Sequence, residues 1–75
     1  LKLKLGNSLK AARTQRRLTQ KQLAERIDTS QSRVAKMETG DRSVSIDLLI
    51  KSLLAIGVTS KDLGKIITKP IKKVA

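Results

Sequence analysis

The sequence predicts an all-α fold, a compact bundle of five short helices, and three observations predict it. Apolar residues recur at helical spacing, most clearly across Ile46, Leu49, Ile50, Leu53, Leu54 and Ile56. Hydroxyl residues stand ahead of such stretches, at Thr19, Ser30, Ser45 and Ser60, where a side-chain oxygen caps the free amides of a first turn. Gly40 and Gly57 follow two of them, in the place where helices end in left-handed backbone. A chain of 75 residues makes one domain around a single small core.

The elements follow in order. Residues 1–5, Leu-Lys-Leu-Lys-Leu, alternate with period two. That fits a strand paired with one from a twofold mate, or a disordered terminus. Gly6-Asn7 breaks the alternation, and Asn7 caps a first helix to about Arg17, with Leu9, Ala12 and Arg16 on one face. Thr19 opens the second helix, and Thr19-x-x-Gln22 reads as a capping box. Leu23, Ala24 and Ile27 give its inner face, and Asp28-Thr29 makes a tight turn. Ser30 caps the third helix, which turns Val34 and Met37 inward and leaves Gln31, Ser32, Arg33, Ala35 and Lys36 outside.

Residues 41–44 form a loop, Ser45 caps the apolar fourth helix, and Gly57 stops it. Ser60 caps a fifth helix with Leu63, Ile66 and Ile67 inside, broken at Gly64 and closed by Pro70. The resulting organisation is an N-terminal segment (1–6), a helix-turn-helix domain (7–68) and a basic tail (69–75).

Composition narrows the function. Seventeen Lys and Arg against six Asp and Glu give a net charge of +11, where small soluble domains manage with about 2–8 in magnitude. The excess points to a polyanion, nucleic acid before an anionic membrane surface. Five capped short helices do not make the single long amphipathic segment that lies on a membrane. No apolar run nears the ~20 residues of a membrane span, and no signal-peptide pattern is present, although the chain starts at Leu1 without a Met.

The chain has no Cys and no His, which excludes zinc sites built from them, His acid-base work and Cys nucleophiles. No carboxylate dyad or phosphate loop can be assembled, so neither an enzyme nor a cofactor is expected. Without disulfides, a reducing interior is the default setting. The lack of Phe, Tyr and Trp removes the platforms that stack single-stranded bases, which leaves double-stranded DNA.

A short capped helix pair on a strongly basic body is a device for the DNA major groove. The ordered residues resemble the phage repressor and Cro type of helix-turn-helix, the XRE family. The pattern runs Arg13, Leu18-Thr19-Gln20-x-x-Leu23-Ala24, Ser30-x-x-x-Val34-x-x-Met37-Glu38-x-Gly40, Leu48-Leu49, and Leu53-x-x-Ile56-Gly57-Val58, within residues 9–67. The resemblance implies a five-helix lambda-repressor-like domain whose third helix enters the major groove. Arg17 and Asp28 depart from it, each standing where the family commonly has Gly.

In that frame Gln31, Ser32, Arg33 and Lys36 are the expected base-edge contacts. The N-terminal part of a recognition helix points into the groove, where Gln pairs with adenine and Lys or Arg with guanine. Phosphate contacts are expected from Gln20, which the resemblance also has bracing Gln31, and from Arg42, Ser43, Arg17 and Lys21. The resemblance further implies an Arg13–Glu38 ion pair joining the first helix to the third.

The expected activity is sequence-specific transcription regulation, as a repressor, by a homodimer on a palindromic operator. Its dimer surface is either Val58, Leu63, Ile66 and Ile67, or a paired strand from residues 1–5. The alternative is an antitoxin that binds and neutralises a protein toxin, with residues 1–5 or 71–75 as the handle. The setting implied is the cytoplasm of a bacterium or phage-infected cell, at the nucleoid.

Overall fold

The computed structural model describes residues 1–68, which form α1 (Lys2–Gln15), α2 (Gln20–Arg26), α3 (Gln31–Thr39), α4 (Ile46–Ile56) and α5 (Ser60–Thr68). The tail at 69–75 and the Pro70 stop lie outside the described residues. Helix α1 packs on α3 and α4, α2 packs on α3, and α5 closes against α1 and α4.

The first correction concerns residues 1–5, which are neither a strand nor a separate segment. Helix α1 begins at Lys2 and passes through Gly6 and Asn7, so Asn7 is not its cap. As a strand, Leu1, Leu3 and Leu5 would share a face and need a mate. As a helix, Leu5 joins Leu9 and Ala12 at i, i+4 and i+7, and all three are buried. Full burial of Leu5 contributes about 1.5–3 kcal/mol. Leu1 and Leu3 are left 57% and 59% exposed.

Gly6 is what lets α1 lie there. A Cβ at Gly6 would stand 2.4 Å from the Met37 carbonyl oxygen and 3.0 Å from that of Glu38. Only a residue without a side chain allows α1 so close to the α3 backbone.

Helices α1 to α4 end in one way. Just past each helix an amide bonds back to the carbonyl five residues earlier: Leu18 to Arg13, Thr29 to Ala24, Asp41 to Lys36 and Val58 to Leu53. A second, shorter bond runs inside each, from Arg17 to Thr14, Asp28 to Glu25, Gly40 to Met37 and Gly57 to Leu54. This is the Schellman pattern, and its left-handed position is held by Arg17, Asp28, Gly40 and Gly57.

Helix starts follow the hydroxyls. Thr19 accepts the Gln22 amide at 3.0 Å while Gln22 Oε1 accepts the Thr19 amide at 2.8 Å, so the capping box is complete. Ser30 and Ser45 cap α3 and α4. For α5 the cap is Thr59, not Ser60: Thr59 Oγ1 accepts the Asp62 amide at 3.1 Å. Two adjacent hydroxyls compete there, and Ser60 becomes the first helical residue. Helix α5 also continues through Gly64 without a break.

The core gathers Leu5, Leu9, Leu23, Val34, Met37, Val44, Leu49 and Leu53, all essentially inaccessible. Two residues expected inside α4 lie outside its inner stripe, Ile46 at 37% and Leu54 at 45% exposure. Arg16, expected on the inner face of α1, is exposed because it falls just past the helix end. Its Nη1 donates to the Ala12 carbonyl at 3.0 Å.

Candidate nucleic-acid interface

The pair α2–α3 is set by its caps and its core residues. Leu23 and Ala24 on α2, with Val34 and Met37 on α3, are buried. That fixes which side of α3 faces water. Gln31, Ser32, Arg33 and Lys36 are all exposed there, and their side chains make no hydrogen bond among the described residues. Their donors and acceptors are therefore available to an outside partner.

One flank of α3 meets the loop before α4. Ser32, Arg33 and Lys36 share a shallow depression with Ser43 and Val44, so three expected base-edge residues adjoin one expected phosphate residue. Arg42 is exposed beside them. Lys2 reaches this loop and donates from Nζ to the Arg42 carbonyl at 3.1 Å.

Ser43 is committed differently from its expectation. Its amide donates to Asp41 Oδ1 at 2.8 Å, and its hydroxyl donates to the same oxygen at 2.6 Å. These two bonds, hydroxyl first, hold the Asp41 carboxyl below its ordinary value of 3.8, and Lys36 and Lys2 act in the same direction. The turn leaves Ser43 without a free proton to donate. Arg17 and Lys21 are exposed around the α1–α2 connection.

The other flank of α3 meets α1 and the start of α2. Here Glu38 is buried and its carboxylate gathers three donors. Arg13 donates from Nε to Oε2 at 2.6 Å and from Nη2 to Oε1 at 3.2 Å, and Gln20 Nε2 donates to Oε1 at 3.1 Å. Arg13 Nη1 also donates to the Leu18 carbonyl at 2.7 Å. One guanidinium thus ties α1, α3 and the α1–α2 connection together. Gln20 turns to Glu38, with no bond to Gln31. No sequence spacing announces that bond, since it spans 18 positions and a carboxylate already paired with Arg13.

A model of a helix-turn-helix family matches residues 9–63. The chain belongs to the Cro/C1-type helix-turn-helix family. It is accordingly a DNA-binding helix-turn-helix regulator of that XRE class. Comparison with curated proteins and with solved structures gave no match. The matched span begins at Leu9; the first turns of α1, with Lys2 on the loop and Gly6 against α3, precede it. Its two departures from the family pattern, Arg17 and Asp28, both carry positive φ, 58° and 59°. That is the conformation glycine supplies without strain. Among the described residues no helix is long and apolar enough to cross a membrane, and no cluster of metal-ligating side chains occurs.

Proposed function

We propose that this family member is a sequence-specific repressor that binds a palindromic operator as a homodimer, in a cytoplasmic, nucleoid-associated setting. Gln31, Ser32, Arg33 and Lys36 read base edges, and Gln20, Arg17, Lys21, Arg42 and Ser43 lie along the phosphates. The observation that carries the reading is that Gln31, Ser32, Arg33 and Lys36 stand exposed on α3 with no side-chain hydrogen bond among the described residues. A good bidentate pair from Gln31 or Lys36 discriminates against a wrong base by about 1–3 kcal/mol.

Ser43 then contributes through the turn it forms with Asp41, which holds Arg42 beside the groove, while Arg42 supplies the charge. One recognition helix reads only a few base pairs, so specificity calls for two, about 34 Å apart on one face of the duplex. Val58 and Ile66, both half-buried, and Ile67, 40% exposed, offer apolar area for a mate, whereas Leu63 is spent in the domain's own core.

The test is selection of bound duplexes from a random library at near-physiological salt, with the Gln31→Ala, Lys36→Ala double variant in parallel. The expected result is a palindromic motif that the double variant loses. Equal binding by both proteins with no enriched motif would reduce the DNA contact to bulk charge.

A further inference from the structure

We infer that the DNA-contacting surface continues from α3 onto α1, where Asn7 and Lys10 hold the phosphate backbone on the flank of α3 away from Arg42. The inference rests on the DNA reading above and adds two contacts to it. Gly6 is the structural cause. Its backbone contact with Met37 and Glu38 sets α1 flush against α3, and so raises the outer face of α1 beside the recognition helix. Asn7 and Lys10 are one and four residues further on, and they share an open depression with Leu3, Gln20, Ala35, Glu38 and Thr39.

The chemistry of that depression suits a phosphate. Asn7 and Lys10 are exposed and make no side-chain hydrogen bond or ion pair among the described residues, leaving an amide and an ammonium to donate. The carboxylate on its wall, Glu38, is already neutralised by the two-pronged Arg13 contact. The positive charge of Lys10 is therefore unopposed there.

Groove geometry supplies the occupant. A helix about 10–12 Å across fills a major groove about 12 Å wide, so phosphates run along both of its flanks. Arg42 serves one flank. On the other, Gln20 is engaged with Glu38, Ala35 has no donor, and the Thr39 hydroxyl donates to the Lys36 carbonyl. Within the depression itself, Lys10 is the lining residue with a free positive charge.

The experiment measures DNA affinity against salt for the full chain on its selected duplex, comparing wild type, Lys10→Ala, Asn7→Asp and Lys51→Ala. Lys51 sits on α4, is 72% exposed at its side chain, and removes the same charge elsewhere. The expected Lys10→Ala result is a log–log salt slope lower by about 0.9 per domain, with affinity about three- to tenfold weaker and the selected motif unchanged. Asn7→Asp, which sets a carboxylate against the phosphate, weakens binding at least as much. Lys51→Ala leaves the slope at the wild-type value. Lys10→Ala indistinguishable from Lys51→Ala, with wild type still selecting its motif, overturns the inference and leaves the DNA reading standing. A wild type that selects no motif overturns both.

Discussion

Arg17 and Asp28 occupy one and the same backbone position, the left-handed residue that closes a Schellman turn, at the ends of α1 and α2. Gly40 and Gly57 hold the equivalent places after α3 and α4. A side chain in this conformation costs about 1–2 kcal/mol, less for Asp, whose short polar side chain tolerates it. Arg17→Gly is therefore expected to stabilise the domain by about 1 kcal/mol, raising Tm by roughly 4–8 °C, and Asp28→Gly by less. Thermal melts of the two variants check both the sign and the order. A fall in Tm for Arg17→Gly would show that its side chain makes up for the strain.

The Arg13–Glu38 pair makes a second prediction. Breaking a fully buried pair by removing one partner costs about 3–5 kcal/mol. Arg13 keeps 12% of its side chain exposed against 3% for Glu38, so Arg13→Met is expected at about 2–4 kcal/mol. A domain of this size has only about 4–11 kcal/mol in total. Denaturant unfolding should therefore show a large loss for Arg13→Met and a small one for Gln20→Ala, which takes away one neutral donor. Equal losses would mean that the carboxylate depends on Gln20 as much as on Arg13.

Gly6→Ala sets two effects against each other. Alanine gains about 1 kcal/mol of helix propensity over glycine. The new methyl would lie 2.4 Å from the Met37 carbonyl oxygen, and relief requires moving one helix backbone off another. Overpacking of this kind costs about 1–3 kcal/mol, and a rigid backbone neighbour puts it at the upper end. A net loss of stability is expected, together with weaker DNA binding as α3 tilts. A Gly6→Ala variant as stable as wild type would contradict the close approach.

Acid should loosen the turn between α3 and α4. With the Asp41 carboxyl held below 3.8 in the fold, its ionised form is favoured by folding. Its contribution is fully present above pH 3.8 and is lost as pH falls through the lower folded value. Ser43→Ala removes the hydroxyl bond, the largest cause, and should raise the Asp41 midpoint while leaving the amide bond in place. A carboxyl-detected NMR titration of both proteins reads the shift directly. An unchanged midpoint would place the cause in the remaining Ser43 amide bond and the neighbouring lysines instead.

Much of this fold was legible because its signals are local. Thr19, Ser30 and Ser45 cap where their spacing says, and Gly40 and Gly57 end helices as glycines do. The start of α1 was not legible, because five residues of Leu-Lys alternation fit both periods and the deciding contact, Gly6 on Met37, lies 31 positions away in the chain. Thr59 and Ser60 are chemically equivalent caps, and only the realised backbone separates them. At the site, the exposed face of α3 followed directly from Val34 and Met37. The attachment of Gln20 to Glu38, and of Ser43 to Asp41, did not, since each depends on tertiary placement or on which of several partners an amide or hydroxyl finds first.

Among the described residues the side chains of Gln31, Ser32, Arg33 and Lys36 make no hydrogen bond, while the groups that hold α3 in place, Gly6, Arg13 and Glu38, sit behind it. On the proposed function, reading and folding are thus carried by separate sets of residues. Descendants of this chain could exchange Gln31, Ser32 or Lys36 one at a time and acquire new target sites without first losing the scaffold. Lineages of such regulators would diverge in address long before they diverge in shape.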